Sequence, residues 1–278
     1  MTPTHASEIA SGSRFEFGAN WQRFLKTVDD ERIDEAQRSL AEMLGRSNLS
    51  GARFLDIGCG SGLFSLAARR MGAVVHSFDF DPTSVACAKE MRRRYASDDN
   101  GWTIEEGSVL DTDYVRSLGT FDIVYSWGVL HHTGALWSAL DSARIPVDAC
   151  GQLFIAIYND QGWRSRAWWR VKALYCSGSV GRTIALAIFV PLFTAQAALV
   201  GLLRRRSPLW QFRNFKSKRG MSIYHDWVDW LGGLPFEYAT VDVVRGHYEA
   251  QGYVLECLTP TKRWGCNQFV FRRAADVG

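Results

Sequence analysis

Phe54-Leu55-Asp56-Ile57-Gly58-Cys59-Gly60-Ser61-Gly62 is the stretch that decides how this chain folds. Phe54, Leu55 and Ile57 form an apolar run of strand character that stops at a glycine-rich bend. An amphipathic helix pattern follows at once, with Leu63, Phe64, Leu66, Ala67 and Met71 on its apolar side. Strand, bend and helix start together make the first unit of a doubly wound α/β sheet, where free backbone N–H groups can meet a ligand.

The glycines are spaced G-x-G-x-G, with Leu63 where a dinucleotide fingerprint needs Gly or Ala. Asp56, two residues before the first glycine, sets a carboxylate where it would repel a pyrophosphate and attract a cation. S-adenosylmethionine (SAM) carries an ammonium and a sulfonium and no phosphate, so it meets that requirement. The plain alternative is a tight turn without a ligand. Ala73 to Asp79 then reads as a second strand ending in an acid, about 20 residues on, the spacing at which a carboxylate reaches a ribose diol. Asp81 and Pro82 open the next helix as N-cap and first helical residue.

In these residues the chain resembles the class I SAM-dependent methyltransferases, nearest in character to the quinone and small-molecule methylases. The matching stretches are Asp56 to Gly62, Asp79-Phe80-Asp81-Pro82, Glu106-Gly107-Ser108-Val109, and the fourth strand with its loop, Phe121 to His132. The resemblance implies that Asp56, Gly58, Cys59, Gly60 and Gly62 surround the methionine half of SAM and that Asp79 binds the ribose. It places Phe80, Ser108 and Val109 around the adenine, with Trp127 also at the cofactor. It implies further that an N-terminal segment closes over SAM, with Phe17, Asn20 and Trp21 as the cover; a helix packed on the sheet edge is the simpler reading of that segment.

Alternation continues as βαβ units require: strands at 52–57, 73–79, 102–106, 121–126 and 151–157, with helices between them. A helix over 240–251 and strands over 253–258 and 267–272 complete a seven-stranded, mostly parallel, Rossmann-like sheet with a C-terminal antiparallel hairpin. The domains expected are a lid segment over 1–45, a SAM-binding core over 46–160, a helical substrate insertion over 161–238 and the sheet completion over 239–278. Residues 1–13 read as mobile, without the apolar core of a secretory signal. Six scattered cysteines show no metal-ligand or disulfide spacing, so a reduced cytoplasmic protein without a metal site is expected. A net charge of +3 is too mild to demand an anionic partner.

Within the insertion, Thr183 to Leu203 has no charged residue. It is long enough to span a membrane, but strands of one sheet precede and follow it, and a single crossing would part them. Pro191 and Gln196 divide it into two shorter helices. These are buried against the sheet, a lid or a second copy of the chain, or they lie in the plane of a membrane or line a lipid groove. Seven basic residues with three aromatics follow over 204–219, a solvated face or a contact for anionic headgroups; nucleic acid is not expected.

Methyl transfer needs alignment, desolvation and, for a hydroxyl or ammonium, a base. His131 and His132, after the fourth strand, are candidates, because an imidazole titrates near neutrality. A His there can equally do no more than cap a helix. His225 and Asp229 are four apart and would share a helix face between Trp227 and Trp230, so the carboxylate could charge the imidazole; an interface helix is the competing reading. The expected reaction is methylation of oxygen or nitrogen on a small, aromatic or lipid-linked acceptor. The alternatives are RNA modification through the basic segment and a non-catalytic SAM-binding subunit.

Overall fold

The computed structural model describes residues 5–97, 100–204, 206–207, 231–261 and 265–274. Its strands are β1 (Arg53–Ile57), β2 (Val74–Asp79), β3 (Trp102–Glu106), β4 (Phe121–Trp127), β5 (Val147–Tyr158), β6 (Tyr253–Thr259) and β7 (Cys266–Arg273). The α-helices are α1 (His5–Ala10), α2 (Phe17–Phe24), α3 (Asp30–Leu44), α4 (Leu63–Arg70), α5 (Pro82–Tyr95), α6 (Thr112–Ser117), α7 (Leu136–Ala143), α8 (Trp163–Cys176), α9 (Ser179–Leu203) and α10 (Val241–Glu249). Two compact units result: residues 29–161 with 237–278, and residues 1–28 with 162–236.

The first unit holds one seven-stranded sheet in the order β3-β2-β1-β4-β5-β7-β6. β1 to β5 are parallel, and β7 runs antiparallel to both β5 and β6. This is the hairpin-ended sheet expected from the sequence. Leu55, Ile57, Ile123, Val124, Leu153 and Ile155 are fully buried, which is why these strands read as unbroken apolar runs. Each such side chain contributes roughly 1.5–3 kcal/mol by leaving water.

Local chemistry sets the ends of the elements. Asp29 accepts a hydrogen bond from the Arg32 N–H at 3.0 Å to start α3, and Gly45 stops it at φ 65°. Asp81 accepts from the Thr83 N–H at 2.8 Å, with Pro82 at the first helical position, as expected. β5 begins at Val147, ahead of the expected residue 151. Its pairing with β4 shifts register between Phe121 and Ile123, and Cys150 adopts φ 62°. Arg272 donates to the Cys150 carbonyl at 2.8 Å across this irregularity, which in sequence looks like a strand start.

The second unit corrects two expectations. Residues 1–13 include the helix α1, ended by the Ser13 N–H on the Glu8 carbonyl and by the Arg14–Glu8 ion pair. The Phe15 N–H then donates to the Leu234 carbonyl at 3.0 Å. Thr183 to Leu203 is not two helices: α9 runs unbroken through Pro191 and Gln196. A proline's φ is already helical, so it costs one N–H bond and some crowding, about 3 kcal/mol, which a long helix can carry. Trp168 of α8 packs on Phe189 and Phe193 of α9, while Tyr175, Ala185 and Leu231 form a small buried core.

A Cβ added at Gly45 would meet nothing within 4 Å, so Gly45→Ala tests backbone strain alone. It should destabilise the protein by about 1–2 kcal/mol, lowering the urea midpoint without changing the slope.

Candidate functional site

The carboxyl ends of β1 to β4 converge where the chain reverses its direction across the sheet, between β1 and β4. The glycine bend is held there by its own backbone. Gly58 and Cys59 donate N–H bonds to the Phe78 carbonyl at 2.8 and 3.1 Å, and the Gly60 N–H donates to Asp79 Oδ2 at 2.9 Å. Gly58, Gly60 and Gly62 have φ of 75°, 53° and 78°. At Gly58 even a Cβ would overlap Val129 Cγ1, so the bend and the loop after β4 touch through a missing side chain.

Asp79 is half-buried at the end of β2, and its Oδ1 accepts the Asp81 N–H at 2.9 Å. Phe80 beside it is half-buried. After β3, Ser108 Oγ accepts from the Leu110 N–H at 3.2 Å, while the Val109 side chain belongs to the hydrophobic core. Trp127 is exposed at the end of β4, and its indole N–H donates to Gln268 Oε1 at 3.3 Å. Bend, Asp79, Phe80, Ser108 and Trp127 thus all occupy carboxyl ends or the loops that follow them.

Asp56 is placed differently from the sequence argument. It is 2% exposed, and its carboxylate accepts from Ser65 Oγ, between β1, β2 and α4. Ser65 and Ser77 lie 2.8 Å apart through their hydroxyls, and the Trp102 indole N–H donates to Ser77 Oγ at 2.8 Å. Burial pushes the Asp56 pKa up to about 7, with the Ser65 hydrogen bond opposing and Asp79 adding to the rise. Burial, with Asp79 and Asp56 nearby, likewise raises Cys59 well above the usual thiol range, which keeps it protonated.

His131 sits in a 3₁₀ turn (Leu130–His132) and is fully buried. Its ring lies 4.0 Å from that of Tyr158, and its Nδ1 accepts the Tyr158 N–H at 3.4 Å. The His131 carbonyl accepts from the Glu237 N–H at 3.0 Å, and Glu237 Oε1 accepts from the Leu136 N–H at 3.1 Å. Glu237, whose pKa burial raises, therefore caps α7 in place of a local residue. In sequence Glu237 stands far from Leu136, and the only local sign of it is Ala135, a capless N-terminus. Asn267 donates to Asn159 Oδ1 at 3.1 Å and fixes the end of β5.

Trp21 lies on α2 in the other unit, 5.9 Å from Phe24 between ring centroids. His225 and Asp229, with Trp227 and Trp230, fall outside the described residues. Among the described residues, no three His, Cys, Asp or Glu side chains are grouped to hold a metal ion.

Sheet order and glycine bend together define a class I, SAM-dependent type of methyltransferase fold. The methyltransferase-domain family model matches residues 28–178, and the chain belongs to that family. It is 33% identical over 146 residues, 52% of either chain, to the ubiquinone biosynthesis O-methyltransferase of Rhodopseudomonas palustris (strain BisB5). It is 40% identical over 82 residues to the ribosomal protein L11 methyltransferase of Deinococcus radiodurans, 27% of this chain and 28% of that one. At most the chain spans about half the length of these curated relatives. In fold it is similar to the magnesium protoporphyrin IX methyltransferase of Synechocystis PCC 6803 with bound SAH, with a TM-score of 0.56 at 14% identity, covering 96% of this chain and 99% of that one.

Asp56 gives a pH test. Its pKa is about 7 folded against an ordinary 3.8, so between these values the folded state holds a proton that the unfolded state has lost. The group's contribution to stability therefore falls as pH rises through that window and is level above it. Asp56→Asn keeps an acceptor for Ser65 without titrating, and should gain stability relative to the parent from acid to neutral pH in paired urea titrations. A pH-independent difference would return Asp56 to an ordinary pKa.

Proposed function

We propose that this chain is an active SAM-dependent methyltransferase that acts on a hydroxyl or amine of a small, aromatic acceptor. The cradle at Gly58 to Gly62 beside the half-buried Asp79 carries this assignment. Three left-handed glycines let a ligand approach the backbone, and the Asp79 carboxylate favours a diol and a cation over a phosphate. The relatives named as ubiquinone biosynthesis O-methyltransferases support a small acceptor.

When bound, SAM would supply an electrophilic methyl carbon on its sulfonium. Asp79 would hold the ribose hydroxyls, with Phe80 and Ser108 at the adenine and the backbone around Gly58, Cys59, Gly60 and Gly62 at the methionine half. Asp56 would act through its field from inside the fold. Trp127 would exclude water at the edge of the cradle. His131, packed on Tyr158 and joined to Glu237, would fix the loop after β4 against the end of β5, a positioning role. For an acceptor that carries a proton, the proposed base is His225 with Asp229 to charge it, on sequence spacing alone.

Asp79→Ala should weaken SAM binding by roughly 1.5–3 kcal/mol, the scale of a charge-assisted hydrogen bond. Unchanged affinity in calorimetry would mean that the ribose is held elsewhere. His225→Ala should lower turnover with SAM affinity intact, and an undiminished rate would remove it from the chemistry. Labelled SAM in a cell extract, with mass identification of the product, tests the acceptor; SAM binding without any methylated product would leave a binding subunit instead.

A further inference from the structure

α9 turns a long apolar face outward. Val180, Ile184, Ile188, Leu192, Leu199 and Leu203 are exposed by 44–75%, and the buried positions are the small residues Gly181, Ala185, Ala197 and Gly201. α8 adds two exposed indoles, Trp163 and Trp169, interleaved with exposed Arg164, Arg166 and Arg170. Arg182 stands near one end of α9, and Arg204 to Arg206 follow the other.

In sequence the charge of this excursion is one-sided. Between Gln161 and His225 there are 12 basic and no acidic residues. Since the whole chain is +3, the remaining residues together carry −9. A second copy offering the same face would meet strong like-charge repulsion. RNA would satisfy the guanidinium groups and leave the apolar stripe in water. An anionic bilayer satisfies both, with acyl chains against the stripe, phosphates at the arginines and indoles at the boundary.

The helix does not cross that bilayer. Leu231, after the basic segment, shares a buried cluster with Tyr175, before α9, and Cys176 Sγ contacts the Gly232 carbonyl at 3.1 Å. The two ends of the excursion are therefore tied together on one side. Trp168 on Phe189 and Phe193 also holds the arginine-bearing α8 along the middle of α9, and these charges would have to enter the hydrocarbon with it.

We propose that the α8–α9 hairpin is a monotopic docking surface for an anionic phospholipid bilayer, with α9 lying in the membrane plane. This stands independently of the acceptor, because its readout is binding rather than turnover. The full chain should co-sediment with vesicles of phosphatidylcholine containing one third phosphatidylglycerol, poorly with phosphatidylcholine alone, and less as salt is raised. Leu192→Glu with Leu199→Glu changes two exposed positions, so the fold and SAM affinity should persist while vesicle binding is lost. Arg204→Glu with Arg206→Glu should weaken it roughly tenfold or more. The proposal fails if the wild-type chain stays in the supernatant at low salt, or if the leucine pair binds vesicles as tightly as wild type. It fails equally if sedimentation shows that the leucine pair abolishes a dimer instead, or if RNA is bound and vesicles are not.

Discussion

The glycine bend is fixed by the neighbouring strand. Three consecutive N–H groups, those of Gly58, Cys59 and Gly60, end on the Phe78 carbonyl and the Asp79 carboxylate. The cradle is thereby an extension of the sheet, and its shape follows from the register of β1 against β2. Val129 fills the space that a side chain at residue 58 would take, which sets the approach of the loop after β4. Trp102, at the other margin, comes so near Gly62 that an added Cβ would lie 3.1 Å from its ring. A site gathered from four strand ends is thus positioned by backbone contacts, which substitutions at the surface leave alone.

What could be read in advance was whatever local periodicity encodes. β1 to β4, the helices that cross between them and the cap at Asp81 with Pro82 follow from residues within a turn or two of each other. Asp56 was legible as an acid beside a glycine bend. Its direction was not, because the hydroxyl it meets, on Ser65, comes from α4 and is linked onward to Ser77 of β2. Glu237 was invisible for a similar reason: the N–H it accepts at Leu136 is far away in sequence. The start of β5 was misplaced by a register shift that imitates a break, and α9 was divided at a proline that the helix tolerates.

Buried polar groups and the apolar surface divide the two units in character. The sheet unit spends its polar side chains on internal order: Asp56 with Ser65, Asn267 with Asn159, Gln152 with Glu256. Each pairing satisfies a donor that would cost a few kcal/mol if left dry. On α9 of the other unit the fully buried positions are small residues, while most of the large aliphatic ones are exposed and Leu186 packs on the small core.

The bond from the Phe15 amide to the Leu234 carbonyl bears on how the chain is made. Ribosomes deliver residues from the N-terminus onward, and the strands β1 to β5 all emerge before residue 234 does. The Phe15 amide must therefore wait for its acceptor until after the strands β1 to β5 have been made. A nascent chain stalled short of residue 232 would leave Phe15 without the glycine it packs against.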